Sequence, residues 1–294
     1  MAAQIIDGKA IAEAIRREVR EEAARVEPPP HLHAVLVGGD PASALYVRNK
    51  ERACAEAGFR SVVHRLSDKT TQAELMALVA RLNEDPDVDG ILVQSPLPKG
   101  LDENAVIRAI SPTKDVDCFH PENVGLLVIG TPRFLPGTPA GVQQLLIRSG
   151  IDPAGKHAVV VGRSNIVGKP MVNILLQKRS GANATVTVCH TGTPDIACHT
   201  RQADILIVAA GRPKTITADM VKPGAAVVDV GMNRIEDPSA PRGYRFVGDV
   251  DYGPVSEVAG WITPVPGGVG PMTIAILLKN TLTAARLRRE RAGA

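Results

Sequence analysis

Hydrophobic positions follow two patterns along the chain, one typical of helices and one typical of buried strands. Ile11, Ile15 and Val19 are four residues apart and share one face of a helix predicted over residues 8–26, which the prolines at 28–30 end. The same periodicity predicts helices over residues 42–57, 71–83, 140–149 and 272–289. Short apolar runs predict strands over residues 32–37, 61–66, 88–94, 158–161, 185–189, 205–209 and 225–230.

Strands and helices alternate in both halves of the chain. This indicates an α/β fold with parallel sheets, because a helix between two strands carries the chain back to begin a parallel neighbour. At about 150 residues per domain, 294 residues suggest two domains. We expect domains at 1–138 and 139–271, with the Pro- and Gly-rich stretch 132–139 as the passage between them. The Pro- and Gly-rich run 264–271 excludes helix and central strand, and we expect helix 272–294 to return to the first domain.

Composition excludes several classes of protein. A net charge of +3 and 3% aromatic residues do not suit a nucleic-acid binder, which neutralises phosphates and stacks on bases. No apolar stretch approaches the ~20 residues of a membrane span, and Asp7 and Lys9 interrupt any signal peptide. The four cysteines lack a disulfide-framework spacing, so we expect a reduced, cytoplasmic protein. The Cys-His pairs at 189–190 and 198–199 do not match zinc-ligand spacing, and no metal site is predicted.

A glycine-bearing turn follows the predicted strand 158–161. Gly162 and Gly168 flank the turn, and Pro170 fits the first turn of the next helix, where a missing N–H is tolerated. Such turns present amide N–H groups and the positive end of a helix to a phosphate. The glycines are six residues apart, so the pattern is not G-x-G-x-x-G. Alone, it fits a tight structural turn as well as a nucleotide site.

The next strand distinguishes between two nucleotides. A Rossmann unit that binds NAD holds the ribose 2′-hydroxyl with an acidic residue near the end of its second strand. Strand 185–189 is followed by His190, Thr191 and Gly192, without a carboxylate, and Arg163 in the earlier turn could contact a 2′-phosphate instead. The pattern therefore favours NADP as the cofactor.

Polar side chains that are candidates for catalysis or ligand binding occur in the first half of the chain. Tyr46 and Lys50 are four residues apart and share a helix face, where they could also be an exposed amphipathic pair. Gln94 ends a predicted parallel strand, and the carboxyl ends of such strands are where open α/β sheets bind ligands. Asp117 follows in a loop, as either a capping carboxylate or a ligand-binding group.

Five motifs together resemble the bifunctional methylenetetrahydrofolate dehydrogenase/methenyltetrahydrofolate cyclohydrolase family, in the same order over nearly the whole chain. They are Tyr46-x-x-x-Lys50, Gln94-x-Pro-Leu-Pro98, Lys114-Asp-Val-Asp117, Gly162-Arg-Ser-x-x-Val-Gly-x-Pro170 and Pro264-Val-Pro-Gly-Gly-Val-Gly-Pro-Met-Thr273. The chain departs from the family at Cys118, where glycine is common, and at Gly137, where cysteine is common. The resemblance implies a homodimer in one-carbon metabolism that serves purine biosynthesis.

The resemblance also implies what each residue does. Tyr46 would pack against the pterin and aminobenzoate of tetrahydrofolate derivatives. Lys50 would activate water, Gln94 would hydrogen-bond Lys50 and hold it in place, and Asp117 would accept hydrogen bonds from the amino edge of the pterin. These residues belong to domain 1–138, which would bind folate and carry the catalytic groups, completed by helix 272–294.

Domain 139–271 would bind NADP in a Rossmann-like fold. Gly162, Arg163, Ser164 and Thr191 would hold the cofactor, with the backbone of Met232 beside it. A loop would line the substrate side of a cleft between the domains through Pro264, Gly267 and Gly268. In that shared cleft, 5,10-methylenetetrahydrofolate would be oxidised to the 5,10-methenyl compound and then hydrolysed to 10-formyltetrahydrofolate.

Physical chemistry agrees with this division. A nitrogen lone pair drives oxidation of the N–CH₂–N group, so hydride transfer needs mainly positioning. Addition of water needs acid/base help, for which a lysine with a pKa lowered by desolvation is suited. Two other functions remain open: an NADP oxidoreductase like shikimate dehydrogenase, which would need a lysine–aspartate pair acting on a hydroxyl, and a non-catalytic folate sensor. Turnover of methylenetetrahydrofolate would distinguish all three.

Overall fold

The structure, a computed structural model, describes residues 2–240 and 243–292. The chain forms two compact units that differ in their sheets. Among the described residues, the three-stranded unit contains 14–136 and 274–292, and the six-stranded unit contains 2–13, 137–240 and 243–273. Within the described ranges, no helix is long and apolar enough to cross a membrane.

The elements follow one another in an alternating order. The helices are α1 Gly8–Ala23, α2 Pro41–Glu56, α3 Gln72–Glu84, α4 Glu103–Ala109, α5 Pro121–Val128, α6 Gly137–Arg148, α7 Gly168–Leu175, α8 Ile196–Thr200, α9 Tyr252–Val258 and α10 Gly270–Ala292, with a 3₁₀ turn Ala218–Met220. The strands are β1 Gln4–Ile5, β2 His31–Val37, β3 Arg60–Leu66, β4 Gly90–Val93, β5 His157–Val161, β6 Thr185–Cys189, β7 Ile205–Val208, β8 Ala226–Asp229, β9 Asn233–Glu236, β10 Tyr244–Val247 and β11 Trp261–Ile262.

The three-stranded unit is built on β2, which lies between β3 and β4. All three strands are parallel, so their carboxyl ends meet at one edge. Leu75 and Val79 on α3 pack against Val35 in a shared apolar core. Helix α3 begins with a capping box in which Thr71 and Glu74 each accept the other's backbone N–H. This packing fixes the edge at which β4 ends.

The six-stranded unit has the strand order β1-β11-β8-β7-β5-β6, and every neighbouring pair is parallel. Its central strands β5, β7 and β8 are buried on both faces, as their apolar sequences require. The chain passes from β5 to β6 and then crosses to β7 on the other side of β5. The crossover direction therefore reverses between β5 and β7, which makes this edge a topological switch point of the Rossmann type.

The two-domain α/β architecture predicted from the sequence is confirmed, including the return of the last helix. Helix α10 begins in the six-stranded unit, and from Ile274 onward it belongs to the three-stranded unit. Asn280 ties it there, because its Nδ2 donates to the carbonyls of Val116 at 2.7 Å and Leu135 at 2.8 Å.

The predicted domain limits, 1–138 and 139–271, differ from the structure at both ends of the first domain. The residues before 14 belong to the six-stranded unit because β1 pairs with β11, a strand too short to recognise from its two residues. The six-stranded unit also begins at Gly137, where α6 starts, rather than at 139. Pro139 lies in the first turn of α6 and Pro271 in that of α10, where a proline is tolerated.

Candidate active site

Helix α2 positions the first two candidate residues. It begins at Asp40, whose carboxylate accepts the N–H of Ser43 at 2.7 Å, and Pro41 occupies the first helical position. Val47 is buried, whereas the Tyr46 side chain is 43% exposed. Lys50 lies one turn after Tyr46 and is half-buried. The helix therefore presents an aromatic ring and an amine on one face.

Lys50 is joined to the end of the neighbouring strand β4. Its Nζ donates to Oε1 of Gln94 at 3.0 Å, which is the hydrogen bond predicted from the sequence. The Gln94 backbone N–H donates to the carbonyl of Val35 at 2.9 Å, and its Nε2 donates to the carbonyl of Ser95 at 2.7 Å. Both ends of the glutamine amide are thus engaged, and the direction of its oxygen toward the lysine is fixed.

Burial shifts the pKa values of Lys50 and Asp117. It lowers the pKa of Lys50, and the opposing influence of the Asp117 charge is smaller. Burial also raises the pKa of Asp117 to about 6, although Lys50 acts in the other direction. Among the described residues, none donates a hydrogen bond to the Asp117 carboxylate. A lysine that loses its proton more easily than usual is suited to act as a base.

The other ionisable residues of the same motif have structural partners. Lys114 Nζ donates to the carbonyls of Leu82, Asn83 and Asp85, at 2.9, 2.8 and 2.6 Å, at the end of α3. Asp115 accepts hydrogen bonds from two backbone N–H groups and one amide: Phe119 N at 3.2 Å, His120 N at 2.8 Å and Asn123 Nδ2 at 2.8 Å. Only Asp117 of this motif remains available at the candidate site.

The two departures from the family lie in different surroundings. Cys118 is buried with φ of +61°, a left-handed conformation that glycine adopts more easily. Its Sγ donates to the carbonyl of Phe134 at 3.2 Å, which helps to hold the residue in that conformation. A Cβ at Gly137 would lie 3.5 Å from the carbonyl oxygen of Thr273, in ordinary contact.

The glycine-bearing turn lies between β5 and α7, between a strand and a helix as the sequence predicts. Gly162 has φ of +132°, and a Cβ there would overlap the carbonyl of Ala209. The Ser164 Oγ accepts the N–H groups of Val167 at 3.1 Å and Gly168 at 3.4 Å, where α7 begins. Arg163 and Ser164 are exposed. The turn packs closely against the Ala209 backbone at the switch point and exposes the Arg163 cation next to it.

Thr191 and Met232 follow two other strands of the same sheet. Thr191 is exposed after β6, in a turn where Gly192 N donates to His190 Nδ1 at 3.0 Å. Met232 follows β8 and is 43% exposed. Because β6, β5 and β8 are parallel members of one sheet, Thr191, the Gly162 turn and Met232 lie at the same carboxyl edge.

The loop with Pro264, Gly267 and Gly268 is tightly closed. Gly268 N donates to the carbonyl of Pro264 at 2.8 Å, and Gly267 has φ of +115°. A Cβ on Gly268 would lie 2.7 Å from that carbonyl oxygen, and a Cβ on Gly8 would overlap the Gly268 carbonyl. Close backbone contact, rather than flexibility alone, therefore explains the glycines.

Sequence reasoning missed two buried carboxylates at the carboxyl edge of the six-stranded sheet. Asp229 ends β8 and Asp249 follows β10, and both are almost completely buried. Burial raises the pKa of Asp229 to about 6. The available sequence signal was a glycine close to each aspartate in the chain, Gly231 after Asp229 and Gly248 before Asp249. A Cβ on Gly231 would overlap the Asp249 carboxyl group, and a Cβ on Gly248 would overlap that of Asp229.

Other possible sites contain none of the predicted residues. Across residues 2–240 and 243–292, no three His, Cys, Asp or Glu side chains are placed to hold a metal ion. A cavity of about 310 Å³ opens at the amino edge of the six-stranded sheet, beside Lys156, Lys222 and Trp261. The candidate residues therefore form two groups, one in each unit: Tyr46, Lys50, Gln94 and Asp117, and the residues around Gly162.

Known proteins match both units of the chain. A family described as tetrahydrofolate dehydrogenase/cyclohydrolase, catalytic domain, matches residues 6–117, and its NAD(P)-binding domain matches residues 136–289. The bifunctional protein FolD of Salinibacter ruber is 57% identical over 289 residues, which cover 97% of each chain. The bifunctional protein FolD of Syntrophus aciditrophicus is 58% identical and covers 98% of this chain and 99% of its own.

Solved structures agree with these matches. A bifunctional methylenetetrahydrofolate dehydrogenase/cyclohydrolase from Campylobacter jejuni superposes with a TM-score of 0.90 at 48% identity, covering 98% of this chain and 100% of its own. The Trypanosoma brucei enzyme, complexed with NADP cofactor and inhibitor, gives 0.91 at 43% identity and covers 98% of both chains. Shikimate 5-dehydrogenase from Thermus thermophilus covers 87% of this chain and 99% of its own with a TM-score of 0.51 at 14% identity, and shares the fold alone.

Proposed function

The chain belongs to the tetrahydrofolate dehydrogenase/cyclohydrolase family, and from that premise we propose how its own residues divide the two reactions. It is a bifunctional, NADP-dependent methylenetetrahydrofolate dehydrogenase and methenyltetrahydrofolate cyclohydrolase. We assign the hydrolytic groups and the folate-binding Tyr46 and Asp117 to the three-stranded unit and NADP to the six-stranded unit. The product of the two steps is 10-formyltetrahydrofolate, a one-carbon donor of the kind that purine biosynthesis uses.

Lys50 is the group that activates water in the hydrolysis. Burial favours its neutral form, and a neutral amine can accept a proton from the water that attacks the methenyl carbon. Gln94 accepts one N–H of Lys50 and directs the nitrogen lone pair, since its own amide is held by Ser95. The reaction then returns the proton from the ammonium group to solvent or to the product.

Asp117 and Tyr46 hold the folate. The Asp117 carboxylate has no donor among the described residues, so it is available to the amino edge of a pterin. A substrate that donates hydrogen bonds to Asp117 would relieve the burial penalty on this carboxylate, which strengthens binding. The exposed ring of Tyr46 offers a flat apolar surface one helical turn from Lys50.

The six-stranded unit fits a dinucleotide. The turn after β5 leads into the positive end of α7, which suits a phosphate, and the exposed Arg163 suits a 2′-phosphate. Ser164 can donate its hydroxyl hydrogen while its oxygen accepts the N–H groups at the start of α7. When bound, NADP supplies the hydride acceptor for the oxidation. Thr191 and the backbone of Met232 are the further contacts we assign to it, and Pro264, Gly267 and Gly268 are assigned to the substrate.

The Lys50–Gln94 hydrogen bond is the observation that supports this mechanism most directly. Lys50→Met keeps an unbranched stem but removes the amine, so cyclohydrolase activity should fall by about 10²–10⁴-fold. Dehydrogenase activity should persist in part, with methenyl product accumulating. Lys99→Met, at an exposed lysine of the same unit, is the matched control. An equal loss of both activities would instead make Lys50 a substrate-positioning group, and no loss would remove it from the mechanism.

Arg163 tests the choice of cofactor independently. Losing a hydrogen bond to a charged group amounts to about 1–3 kcal/mol, so Arg163→Ala should weaken NADP use by about tenfold or more. Use of NAD, which lacks the 2′-phosphate, should change little. Kinetics with each nucleotide measure the difference, and an equal effect on both would show that Arg163 does not recognise the 2′-phosphate.

We also propose that the protein is a homodimer in the cytoplasm. Strand β3 pairs on one side only, and Val62 on it is 39% exposed, so the strand offers unpaired backbone groups and apolar surface to a second copy. The four cysteines are free, which suits a reducing compartment. Light scattering after size-exclusion chromatography gives the mass, and a monomer at micromolar concentration would contradict the dimer.

A further inference from the structure

The turn after β7 forms one wall of the topological switch point. Gly162 follows β5, and a Cβ there would overlap the carbonyl of Ala209, the residue that follows β7. Ala209 N donates to the carbonyl of Val161 at 2.8 Å. The backbones of the two turns are therefore in direct contact, and the exposed residues Ala210 and Gly211 lie opposite the glycine-bearing turn.

The buried Asp249 holds this exposed turn. Its Oδ2 accepts the N–H groups of Ala210 at 2.7 Å and Gly211 at 2.8 Å, and its Oδ1 accepts Nδ2 of Asn233 at 2.8 Å. Its backbone carbonyl accepts the N–H of Thr215 at 2.7 Å. One residue thus fixes both ends of the segment after β7 and also the segment that follows Met232.

A second carboxylate holds Asp249 in turn. Asp229 Oδ1 accepts the N–H groups of Gly231 and Asp249, and its Oδ2 accepts that of Val250, each at 2.9 Å. A Cβ on Gly231 would overlap the Asp249 carboxyl group, and one on Gly248 would overlap that of Asp229. Only glycine allows the two carboxyl groups to approach the backbone so closely.

We infer that Asp249 is a positioning residue for the dinucleotide: it presets the Ala210–Gly211 turn and the Met232–Asn233 segment against which the cofactor binds. Three donors already use its oxygens, so it acts through the backbone and does not touch the cofactor. The turn it holds is exposed, so these bonds shape an edge rather than fill a core. The inference rests on the proposed assignment of NADP to the six-stranded unit.

A reversal of donor and acceptor tests this role. In Asp249→Asn, the remaining oxygen can still accept from Ala210 and Gly211, but the new NH₂ group then faces the NH₂ group of Asn233. Adding Asn233→Asp supplies an acceptor at that point. The double variant D249N/N233D therefore restores a hydrogen bond with the net charge of the wild type, whereas N233D alone brings two carboxylates together.

The control is Asp204→Asn, at the amino edge of the same sheet. Asp204 also accepts a backbone N–H, from His157 at 2.9 Å, and a charged donor, Lys222 Nζ at 2.7 Å. The same substitution there removes a partly exposed carboxylate with comparable donors at the opposite end of the strands from the switch point. Three quantities are measured in each variant: the dissociation constant of NADPH from its fluorescence, the melting temperature, and cyclohydrolase activity on methenyltetrahydrofolate without nucleotide.

We expect D249N to raise the dissociation constant of NADPH about tenfold and the KM for NADP in parallel, with kcat less affected. Cyclohydrolase activity should remain within about twofold, because Lys50 and Gln94 belong to the other unit. D249N/N233D should regain most of the affinity, and Asp204→Asn should bind NADPH normally. Unchanged NADPH affinity in D249N would overturn the inference, as would equal losses of affinity, hydrolysis and melting temperature without recovery in the double variant. A wild-type chain that bound no NADPH would instead overturn the proposed cofactor site, and the inference with it.

Discussion

Two sets of a lysine and an aspartate in the three-stranded unit differ in the number of hydrogen bonds that their charged groups make. Lys114 and Asp115 are buried, yet Lys114 donates to three carbonyls and Asp115 accepts from three donors. Lys50 has a single amide oxygen as its described acceptor, and Asp117 has no donor among the described residues. Burial nevertheless lowers the pKa of both lysines.

The difference shows that burial alone does not identify a residue that takes part in binding or catalysis. Lys114 resembles a helix C-cap, because its ammonium group binds the last carbonyls of α3, where the helix dipole is negative. Lys50 and Asp117 retain bonding capacity that a substrate or water can use. We therefore expect substitutions in the first pair to reduce stability and substitutions in the second pair to reduce activity.

The largest effect on stability should come from Lys114→Met. It leaves three carbonyls at the end of α3 without their donor, and we expect a loss of about 3 kcal/mol in the free energy of unfolding. Lys50→Met should change that free energy by less than about 1 kcal/mol. Urea denaturation of both variants measures the contrast. Similar losses in the two variants would remove the distinction between a structural and a chemical lysine.

A smaller loss is expected for Asp115→Asn. The amide has one acceptor oxygen in place of two, so at least one of the three donors around it would face an NH₂ group. An unsatisfied buried donor destabilises by about 1–3 kcal/mol. Thermal unfolding monitored by circular dichroism measures the effect, and an unchanged melting temperature would mean that Phe119, His120 and Asn123 find other acceptors.

Asp117→Asn should increase the free energy of unfolding, whereas the two preceding substitutions decrease it. The pKa of Asp117 is raised from 3.8 to about 6, so between these values the folded protein binds more protons than the unfolded chain. The penalty for its charge is therefore fully present above pH 6 and disappears as the pH falls toward 4. Asp117→Asn should stabilise the protein at pH 8 by roughly 1–2 kcal/mol, and by much less at pH 4. A variant less stable than the wild type at pH 8 would contradict the assignment of Asp117 as an unpaired carboxylate.

The smallest expected effect concerns Gln94→Leu. The Gln94 oxygen accepts a hydrogen bond from Lys50 and so favours the charged form of the amine. Its loss should lower the pKa of Lys50 further and move the ascending limb of the cyclohydrolase pH profile to lower pH, by less than about one unit. The maximal rate should also fall, because the lone pair is no longer directed. A limb that moved to higher pH would show that Gln94 does not stabilise the ammonium form.

Hydrophobic pattern predicted the regular elements well and the short ones poorly. Strand β6 lies at the predicted residues 185–189, and α2 and α3 differ from their predictions by one residue at each end. The pattern missed α4, α5, α9, the β9–β10 hairpin and the two-residue strands β1 and β11. The missed helices have seven or eight residues and the missed strands two to four, too few repeats for a periodic pattern to stand out.

The candidate site was predictable where resemblance and local geometry coincide. Tyr46 and Lys50 share a helix face by spacing, and the Lys50–Gln94 hydrogen bond follows from a motif, whereas the roles of these residues stay predictions. Sequence could not show that Lys114 and Asp115 serve the fold, because their partners lie at the end of α3 and around α5. Asp229 and Asp249 escaped detection because most of their donors are backbone N–H groups, and the nearby glycines alone do not show which carboxylates they accommodate.

The pairing of β1 with β11 has a consequence for folding during synthesis on the ribosome. Gln4 leaves the ribosome long before its register partner Trp261. At 5–20 residues per second, the first strand waits roughly 10–50 s for the neighbour against which it folds. A nascent chain that stalls before Trp261 therefore exposes an unpaired β1 to proteases and chaperones, even when the three-stranded sheet is already complete.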